Sequence, residues 1–485
     1  MQEIDFRLAV YLDGEWRSAR SPQRVGQLAR AQDSKIFSVF QHFPLVIVEL
    51  INTGSELMLG RTLNTHQQWL CRRLADLGFV VTRQVAISDD AHDIQQAVRE
   101  SLSRADLILV TGGLGPTSDD VTRELIAGLL GKPLHEDANI VAGLKQFFAA
   151  RNRPMPARNL VQAQVPEGAV VLANPNGTAP GLAMRIASGV WGLGSGEERA
   201  DACATFPSPD PRPQTPSPKW LIMLPGPPRE LRPMFTDTVV PLLQRELPPQ
   251  IFVCRTIRTA GLGESALAEQ IEAPLQPLIA TGLELGYCAR PGQVDVRLAA
   301  RTLDAQQLVT AAQQIVEPLL ARHIFAHDDE DIAAVIVREL TVRKQTLAVA
   351  ESCTGGAISN AITNVPGASA VLIAGLVTYA NEAKTKFTGV QTETLAANGA
   401  VSEPVVREMA EGARRGTGAD YGIAVTGIAG PGGGSVEKPV GTVFMAVSSA
   451  ARTVALKQFN RYDRETFKEV TTQQVLEMLR RVIVE

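Results

Sequence analysis

Aromatic side chains and excess positive charge are both scarce in this sequence. Phe, Trp and Tyr make up 5% of the 485 residues, and 47 Lys and Arg stand against 51 Asp and Glu, for a formal net charge of −4. Proteins that bind nucleic acid without sequence preference use basic surfaces and stacked aromatic rings. The composition therefore argues against a general nucleic-acid-binding surface.

Cysteine is also rare, and long apolar runs are missing. The five cysteines are scattered, include no CxxC pair and are odd in number, a pattern that favours a reducing compartment over a disulfide framework. No apolar run reaches the roughly 18 residues that a membrane span needs. The first residues include Glu3, Asp5 and Arg7, where a signal peptide would have an apolar stretch. We expect a cytoplasmic protein that binds neither membrane nor nucleic acid.

The length predicts several domains, because 485 residues exceed what one hydrophobic core usually holds. Residues 1–43 show no clean periodicity, so they are either a real appendage or the product of a start codon placed too early. In 44–248, patterns of buried strands alternate with helical patterns, and the proline-rich stretch at about 188–219 indicates a disordered insertion. Residues 251–329 predict a small α+β module, and 330–485 alternate strand and helix again.

Regular alternation of strand and helix favours parallel pairing, since the helices then cover both faces of the sheet. We therefore predict an α/β protein with two three-layer α/β domains, whose sheets are mainly parallel, joined by a small α+β middle domain. Ligands of such sheets bind at the carboxyl ends of the strands.

The first candidate site is the segment AESCTGG, where a predicted strand becomes a helix. Ser352 at this corner has an exposed hydroxyl, and the N–H groups of Thr354, Gly355 and Gly356 open the helix without intrahelical acceptors. Such N–H groups can hold an anion or a developing oxyanion. The alternative is an ordinary helix cap in which Ser352 only fills a turn.

Residues 330–485 contain no histidine, which excludes a Ser-His-Asp triad within this domain. Lysine is the usual substitute base, and Lys384 in the segment TYANEAK is the candidate. Its pKa would have to fall from about 10.4 to about 7–8. Tyr379 could relay the proton or orient Lys384, and spacing alone does not reject Lys386. The alternative is a strand end with solvated charges.

A third glycine-rich segment, VTGIAGPGGG, is followed by Lys438. Consecutive N–H groups in such a loop suit a phosphate, to which Lys438 could add positive charge. A set of tight turns would have the same sequence.

Together, AESCTGG, VTYANEAK, GAVSEPV and VTGIAGPGGG…KPVGTV closely resemble the C-terminal domain of the CinA family, the nicotinamide mononucleotide deamidases, over nearly all of 330–485. The resemblance implies hydrolysis of nicotinamide mononucleotide to nicotinate mononucleotide and ammonia, without a cofactor. It implies a Ser352 nucleophile, a Lys384 base and an assisting Tyr379. The substrate-binding residues that it implies are Glu351, Thr354, Gly355, Gly356, Asn381, Thr426, Gly427, Gly430 and Arg464. The assignment of Arg464 rests on a segment of this sequence that matches the family pattern only loosely.

The second candidate site is the segment TGGLGPTSDD, which follows a predicted buried strand and opens a helix. Its N–H groups could bind phosphate, while Asp119 and Asp120 could bind a hard cation such as magnesium. The alternative is a helix that begins at Ser118, with acidic residues favoured in its first turn by the helix dipole.

With TGGLGPTSDD, the segments GSELMLG, NPNGTAPG and LPGPPRE resemble the molybdopterin-binding-like domain of long CinA proteins, over about 44–245. Residues 251–329 then correspond to the family's middle domain. The resemblance implies a homodimer that acts on small nucleotides, with metal-dependent ADP-ribose pyrophosphatase activity at this site. The residues that it implies are Glu56, Gly112, Gly113, Gly115, Thr117, Asn176 and Gly177 for the nucleotide, and Asp119 and Asp120 for a divalent metal.

One departure from the family pattern bears on this second activity. The family has GDEL where this chain has Gly54-Ser55-Glu56-Leu57, so one carboxylate is lost. Two hypotheses therefore stay open for the N-terminal domain: a metal-dependent pyrophosphatase, or a non-catalytic pterin-binding, nucleotide-binding or regulatory module. A third hypothesis, that the protein is a DNA-damage adaptor, finds no support, because the sequence has no stripe of Lys and Arg residues that could bind DNA.

Overall fold

The computed structural model of this protein describes residues 8–12, 15–19, 45–186 and 219–484. The predicted extension 1–43 lies outside these residues, except for the paired strands β1 (Leu8–Leu12) and β2 (Glu15–Ala19). The predicted insertion at 188–219 also lies outside them, except for Lys219.

The chain divides into two compact units, 1–252 and 253–485. The remaining strands described in the first unit are β3 (Val48–Thr53), β4 (Val81–Ile87), β5 (Leu107–Thr111), β6 (Leu134–Glu136), β7 (Gln164–Pro166), β8 (Val170–Leu172), β9 (Gly181–Ile186) and β10 (Lys219–Leu224). Its α-helices are α1 (Ser55–Met58), α2 (Thr65–Asp76), α3 (Ala91–Arg104), α4 (Thr122–Leu129), α5 (Ala138–Ala149), α6 (Pro228–Met234) and α7 (Val240–Glu246). The main sheet has the order β4-β3-β5-β10-β9-β8.

Alternate residues of the central strand β5 pack on opposite sides of this sheet. Leu107 and Leu109 belong to one hydrophobic cluster, whereas Ile108 and Val110 belong to another. A strand buried on both faces needs apolar residues at every position, which explains the continuous run Leu107–Val110. Two cores on either side of one sheet form the predicted three layers.

The second unit begins with a small antiparallel module. Its strands are β11 (Val253–Ala260), β12 (Leu283–Arg290), β13 (Gln293–Ala300) and β14 (Ile324–His327), and its helices are α8 (Glu264–Ile279) and α9 (Ala305–Leu320). The sheet order is β12-β13-β11-β14, and a single core of buried side chains lies between sheet and helices. This is the predicted α+β module.

The rest of the second unit is again α/β. Its strands are β15 (Leu347–Glu351), β16 (Leu372–Val377), β17 (Tyr421–Gly427), β18 (Thr442–Ser448) and β19 (Thr453–Phe459), in the order β16-β15-β17-β18-β19. Its α-helices are α10 (Ile332–Arg343), α11 (Ala357–Thr363), α12 (Asn381–Thr388), α13 (Thr392–Asn398), α14 (Glu403–Thr417) and α15 (Arg464–Val484). Alternate residues of β15 again enter two clusters, Leu347 and Val349 in one and Ala348 and Ala350 in the other.

The α/β fold class is confirmed, and the structure adds an antiparallel edge to each large sheet. Strand β10 pairs parallel with β5 but antiparallel with β9, and β17 pairs parallel with β15 but antiparallel with β18. Strands β18 and β19 are joined only by residues 449–452, and a parallel pair needs a crossover of a dozen or more residues. The candidate sites lie on the parallel parts.

Helix α15 is held by both parts of the second unit. Gln293 on β13 donates its side-chain N–H to Gln473 Oε1 at 2.6 Å, and the core of the last domain includes Ala260 and Phe325 of the small module. The small module therefore packs against the helix that also carries Arg464. In the described part of the chain, no helix is both long and apolar enough to span a membrane.

Candidate functional site

Ser352 follows the last residue of the buried strand β15 and begins a tight turn. Its N–H donates to Val425 O of the neighbouring strand at 3.1 Å, which anchors the start of the turn. Gly355 and Gly356 have φ values of 61° and 99°, in the left-handed region that favours glycine. Helix α11 begins only at Ala357, so the prediction that Thr354 to Gly356 open the helix is wrong.

Glu351 is part of the scaffold rather than a substrate contact. Its side chain is fully buried, and its carboxylate accepts hydrogen bonds of 2.7 to 3.1 Å from described residues. The donors are the N–H groups of Gly356, Ile358 and Ser359 and the hydroxyls of Thr354 and Ser359. A carboxylate at this position caps the first turn of α11 and complements its dipole.

These bonds change which N–H groups are free for an oxyanion. Gly356 N–H is taken by Glu351, and Gly355 N–H donates to Ser352 O at 3.2 Å. Within the described residues, the N–H groups of Cys353 and Thr354 donate to no oxygen acceptor, and both lie toward the Cys353 sulfur, a weak acceptor. The N–H that follows a nucleophile on a strand-to-helix turn is a typical oxyanion donor. Cys353 and Thr354 therefore replace the two glycines as candidate donors, and the buried side chain of Thr354 is taken by Glu351.

Lys384 lies beside the Ser352 hydroxyl. Its Nζ is 3.2 Å from Ser352 Oγ, 2.9 Å from Thr378 O and 3.0 Å from Tyr379 O. The Lys384 side chain is 1% exposed and Ser352 is 9% exposed, whereas Lys386 is exposed on another face of α12. The structure thus brings Lys384, and not Lys386, to Ser352.

The surroundings of Lys384 favour the uncharged amine more than water does. Burial lowers the pKa of Lys384 from its ordinary value, and this effect outweighs the nearby Glu382 carboxylate, which raises it. An uncharged amine has two N–H groups and one lone pair. When the two carbonyls accept the N–H groups, the lone pair is left for the Ser352 proton. Burial also raises the pKa of Cys353 to about 12, so this cysteine stays a thiol.

Tyr379 contributes its carbonyl, not its hydroxyl, to Lys384. Its hydroxyl lies 3.1 Å from Arg464 Nη2, and Arg464 Nη1 donates to Gly430 O at 2.9 Å. The Tyr379 backbone therefore orients Lys384. Among the residues that the structure describes, no hydrogen bond joins the Tyr379 hydroxyl to the Lys384 amine, so no path for a proton relay between them is seen. Arg464 joins the end of β16 to the loop after β17.

The structure shows the surroundings of three other predicted substrate contacts. The Thr426 side chain is buried and donates to Ala400 O at 2.9 Å. Gly427 is needed for packing, since a Cβ there would lie 2.8 Å from Thr442 O. Asn381 is exposed on the first turn of α12. The amine of Lys438 donates to Asn398 O at 2.7 Å, which is a structural role.

Sequence reasoning missed Lys468. Its Nζ lies 3.9 Å from the position that a Cβ on Gly355 would take, close to the turn that carries Ser352. Lys468 is one helical turn after Arg464 on α15, so both side chains lie on one face. The spacing of four residues between two cations was the signal available in the sequence.

The first unit has its own pocket, of about 370 Å³, where β3, β5 and β10 end. This is the edge at which ligands of parallel sheets bind. Its lining includes the carboxylates of Glu56, Asp89, Asp119, Asp120 and Glu230. None of the described residues that line the pocket is basic.

Most residues predicted for this pocket do line it, and three do not. Glu56, Gly112, Gly113, Gly115, Asp119 and Asp120 are part of the lining. Thr117 instead donates its N–H to Asp120 Oδ2 at 2.9 Å, and its hydroxyl bonds to the same oxygen. Asn176 is exposed, and Gly177 leaves room for the carboxylate of Glu230. Thr117 and Gly177 therefore contact lining residues from outside the pocket.

The structure adds Asp89 and Glu230 to the candidate site. Ser55 N–H donates to Asp89 Oδ2 at 2.8 Å, and Asp89 N–H donates to Ser55 Oγ at 3.3 Å. Asp89 therefore supplies a carboxylate next to the serine that replaces the family's aspartate. Glu230 is buried and accepts a hydrogen bond of 2.8 Å from Asn174 Nδ2.

Close metal-ligand geometry is found elsewhere in the described residues. Only Asp90, His92 and Asp93 there bring three potential ligand atoms within 4.8 Å of one another, and all three are exposed. Asp119 and Asp120 do not form such a group with a third described side chain, and Thr117 holds one oxygen of Asp120.

Comparison with known proteins covers the two large domains and the small module. The family model described as "CinA C-terminal domain" matches residues 329–483, "Probable molybdopterin binding domain" matches 49–245, and "Damage-inducible protein CinA KH domain" matches 254–326. A CinA-like protein of Akkermansia muciniphila is 42% identical over 430 residues, which cover 88% of this chain and 95% of that protein. The chain belongs to the CinA family.

A second relative matches over a similar length, and solved structures match part of the chain. A CinA-like protein of Gemmatimonas aurantiaca is 39% identical over 440 residues, which cover 90% of this chain and 96% of that protein. Among solved structures, the competence/damage inducible protein CihA from Agrobacterium tumefaciens is 41% identical, with a TM-score of 0.31, and the match covers 32% of this chain and 94% of that one. The family resemblance predicted from the sequence is confirmed.

Proposed function

We propose that the C-terminal domain is an amidohydrolase that converts nicotinamide mononucleotide and water to nicotinate mononucleotide and ammonia. The observation that carries this proposal is the buried Lys384 amine 3.2 Å from the Ser352 hydroxyl. Burial lowers the pKa of Lys384, and two N–H groups without an oxygen acceptor in the described structure follow the serine. A serine with an adjacent base is an activated nucleophile for acyl transfer.

The reaction follows from this arrangement. Uncharged Lys384 takes the proton of Ser352 as Oγ attacks the amide carbon of the substrate. The carbonyl oxygen becomes an oxyanion, which the N–H groups of Cys353 and Thr354 stabilise. Lys384 then gives the proton to the departing amine, ammonia leaves, and an ester on Ser352 remains. Water, deprotonated by Lys384, attacks the ester, and Ser352 regains its proton as the carboxylic acid product forms.

The test compares ammonia release from nicotinamide mononucleotide by the wild type and by Ser352→Ala. We expect the variant to lose nearly all turnover, because among the described residues no hydroxyl other than that of Ser352 lies at hydrogen-bond distance from Lys384 Nζ. Ser369→Ala is the matched control, since Ser369 is exposed in a short turn at the surface. Equal release by the wild type and Ser352→Ala would reject Ser352 as the nucleophile.

For the N-terminal domain we propose metal-dependent hydrolysis of ADP-ribose. The supporting observation is a pocket lined by five carboxylates, with no basic side chain among its described lining residues. A diphosphate would be repelled by these carboxylates, so a divalent cation is needed between the diphosphate and the carboxylates. Carboxylate oxygens are ligands that magnesium prefers. Magnesium usually keeps several waters and takes only one or two carboxylates directly, so carboxylates among Glu56, Asp89, Asp119 and Glu230 would hold a hydrated cation, which would neutralise charge on the diphosphate.

The second candidate for this domain is pterin or nucleotide binding without catalysis. The pairing of Asp120 with Thr117 favours it, because it occupies one oxygen of the predicted metal pair. ADP-ribose hydrolysis measured with and without magnesium distinguishes the two candidates. Metal-dependent turnover supports the pyrophosphatase, whereas calorimetric binding of ADP-ribose without turnover supports the binding module.

We also propose that the protein acts on small nucleotides in the cytoplasm as a homodimer, without nucleic acid or membrane as partner. These properties are the ones that the family resemblance implies for this chain. Analytical ultracentrifugation of the purified chain tests the assembly, and a monomer at micromolar concentration would contradict it.

A further inference from the structure

Helix α15 carries four basic residues, which fall into two groups. Arg480 Nε and Arg481 Nε each lie 2.7 Å from a carboxylate oxygen of Glu477. Arg464 and Lys468, by contrast, form no ion pair with any residue in the described ranges. The two cations near the candidate active site are thus the ones that lack a neutralising carboxylate.

The position of these two cations is electrostatically unfavourable on its own. The first turns of a helix are the positive end of its dipole, where cations are destabilising and anions stabilising. Asp463 satisfies that end, since its carboxylate accepts from the N–H groups of Glu465 and Thr466 at 3.0 and 3.1 Å. With Asp463 used in this way, the side chains of Arg464 and Lys468 are left without a carboxylate at ion-pair distance among the described residues.

Both side chains reach the mouth of the site from one helix face. Arg464 contacts Tyr379 and Gly430, on one side of the candidate nucleophile. Lys468 Nζ lies near Gly355, on the turn of the nucleophile itself, and donates no hydrogen bond to a described residue. Residues four apart on a helix have Cβ atoms about 5–6 Å apart, so a single tetrahedral anion can contact both.

We infer that Lys468 binds the phosphate of the substrate together with Arg464 and thereby selects nucleotides over nucleosides. This inference rests on the proposed amidohydrolase function. The planar guanidinium of arginine can donate hydrogen bonds to two phosphate oxygens, and the lysine ammonium adds a compact positive charge. The phosphate lies between α15 and the Gly355 turn, which places the amide of the substrate at Ser352.

The test compares two substrates that contain the same amide, nicotinamide mononucleotide and nicotinamide riboside, which lacks the phosphate. For Lys468→Met we expect KM for the mononucleotide to rise about tenfold or more, the loss expected for one hydrogen bond to a charged group. We expect kcat to change less than KM, and kcat/KM for the riboside to stay as in the wild type. Lys468→Arg should recover part of the loss.

Lys457→Met is the matched control, because Lys457 is an exposed lysine on the edge strand β19. It should leave the preference for the mononucleotide unchanged. If Lys468→Met lowers kcat/KM equally for both substrates, or leaves the preference unchanged, the inference is overturned. If the wild type releases no ammonia from either substrate, the proposed function has failed. Binding of the mononucleotide to Ser352→Ala and to Ser352→Ala/Lys468→Met, measured by calorimetry, then decides on Lys468: equal affinity overturns the inference.

Discussion

Replacing Lys384 by methionine tests the chemistry on which the proposed activity depends. Methionine keeps much of the buried volume but removes the amine that lies 3.2 Å from Ser352 Oγ. A positioned general base contributes typically about 10²–10⁴ in rate, and about 1.4 kcal/mol corresponds to each factor of ten. We therefore expect kcat to fall by about 10²–10⁴, equivalent to about 3–5 kcal/mol of barrier.

The same change acts on stability in two opposing directions. Thr378 O and Tyr379 O lose the donor that lies at 2.9 and 3.0 Å, and an unpaired buried acceptor costs about 1–3 kcal/mol. The chain, however, no longer buries an ionisable amine, whose pKa burial already lowers. Because these effects oppose each other, we expect a small shift in Tm and a large loss of kcat.

The assay is steady-state ammonia release from nicotinamide mononucleotide, with Tm recorded for every variant. Lys386→Met is the matched control, because Lys386 lies on the same short helix but is exposed. We expect it to keep wild-type kcat. The reasoning is refuted if Lys384→Met retains kcat within a factor of about three while folded, since removal of the base should cost far more. Loss of activity in Lys386→Met and not in Lys384→Met would assign the base to the other lysine.

Three further predictions follow from the same geometry. First, kcat/KM for amide hydrolysis should rise with pH to a plateau, because only the uncharged Lys384 accepts the Ser352 proton. The apparent pKa of this rise should lie below the ordinary 10.5 of lysine. A flat pH profile over the range in which the protein stays folded would contradict this. Second, Glu351→Ala should lower the free energy of unfolding by at least about 3 kcal/mol, since several buried donors lose a charged acceptor. Denaturant unfolding measures this loss, and a loss no larger than that of the exposed Glu393→Ala would count against the capping role. Third, Asp89→Asn should weaken magnesium binding to the first unit about tenfold, as expected for the loss of one charged ligand, whereas the exposed Asp237→Asn should not; calorimetry with magnesium tests this, and equal affinities would remove Asp89 from the site.

Much of the candidate active site around Ser352 could be predicted from the local sequence. Ser352 and the preceding Glu351 follow a short apolar run that is typical of a buried strand, and two glycines lie soon after it where the turn has positive φ. The missing histidine narrows the choice of base to lysine. Each of these inferences uses residues that are neighbours in the chain.

The helix start was predicted incorrectly because it depends on a contact that local patterns do not show. Thr354, Gly355 and Gly356 look like the opening of a helix, but Glu351 reaches forward and caps the turn from the end of the preceding strand. Its five hydrogen bonds exist only once strand and helix are packed together.

The sequence alone determined the α/β class, the serine at its strand end and the lysine-bearing segment that follows the next strand. Only the tertiary structure decided between Lys384 and Lys386. Residues two apart on a helix point in nearly opposite directions, and α12 is too short for its pattern to show which side faces the core. Tertiary structure likewise brought Asp89 and Glu230 into one pocket with Glu56, because spatial proximity of residues far apart in the chain is set by how the strands assemble, not by any local pattern.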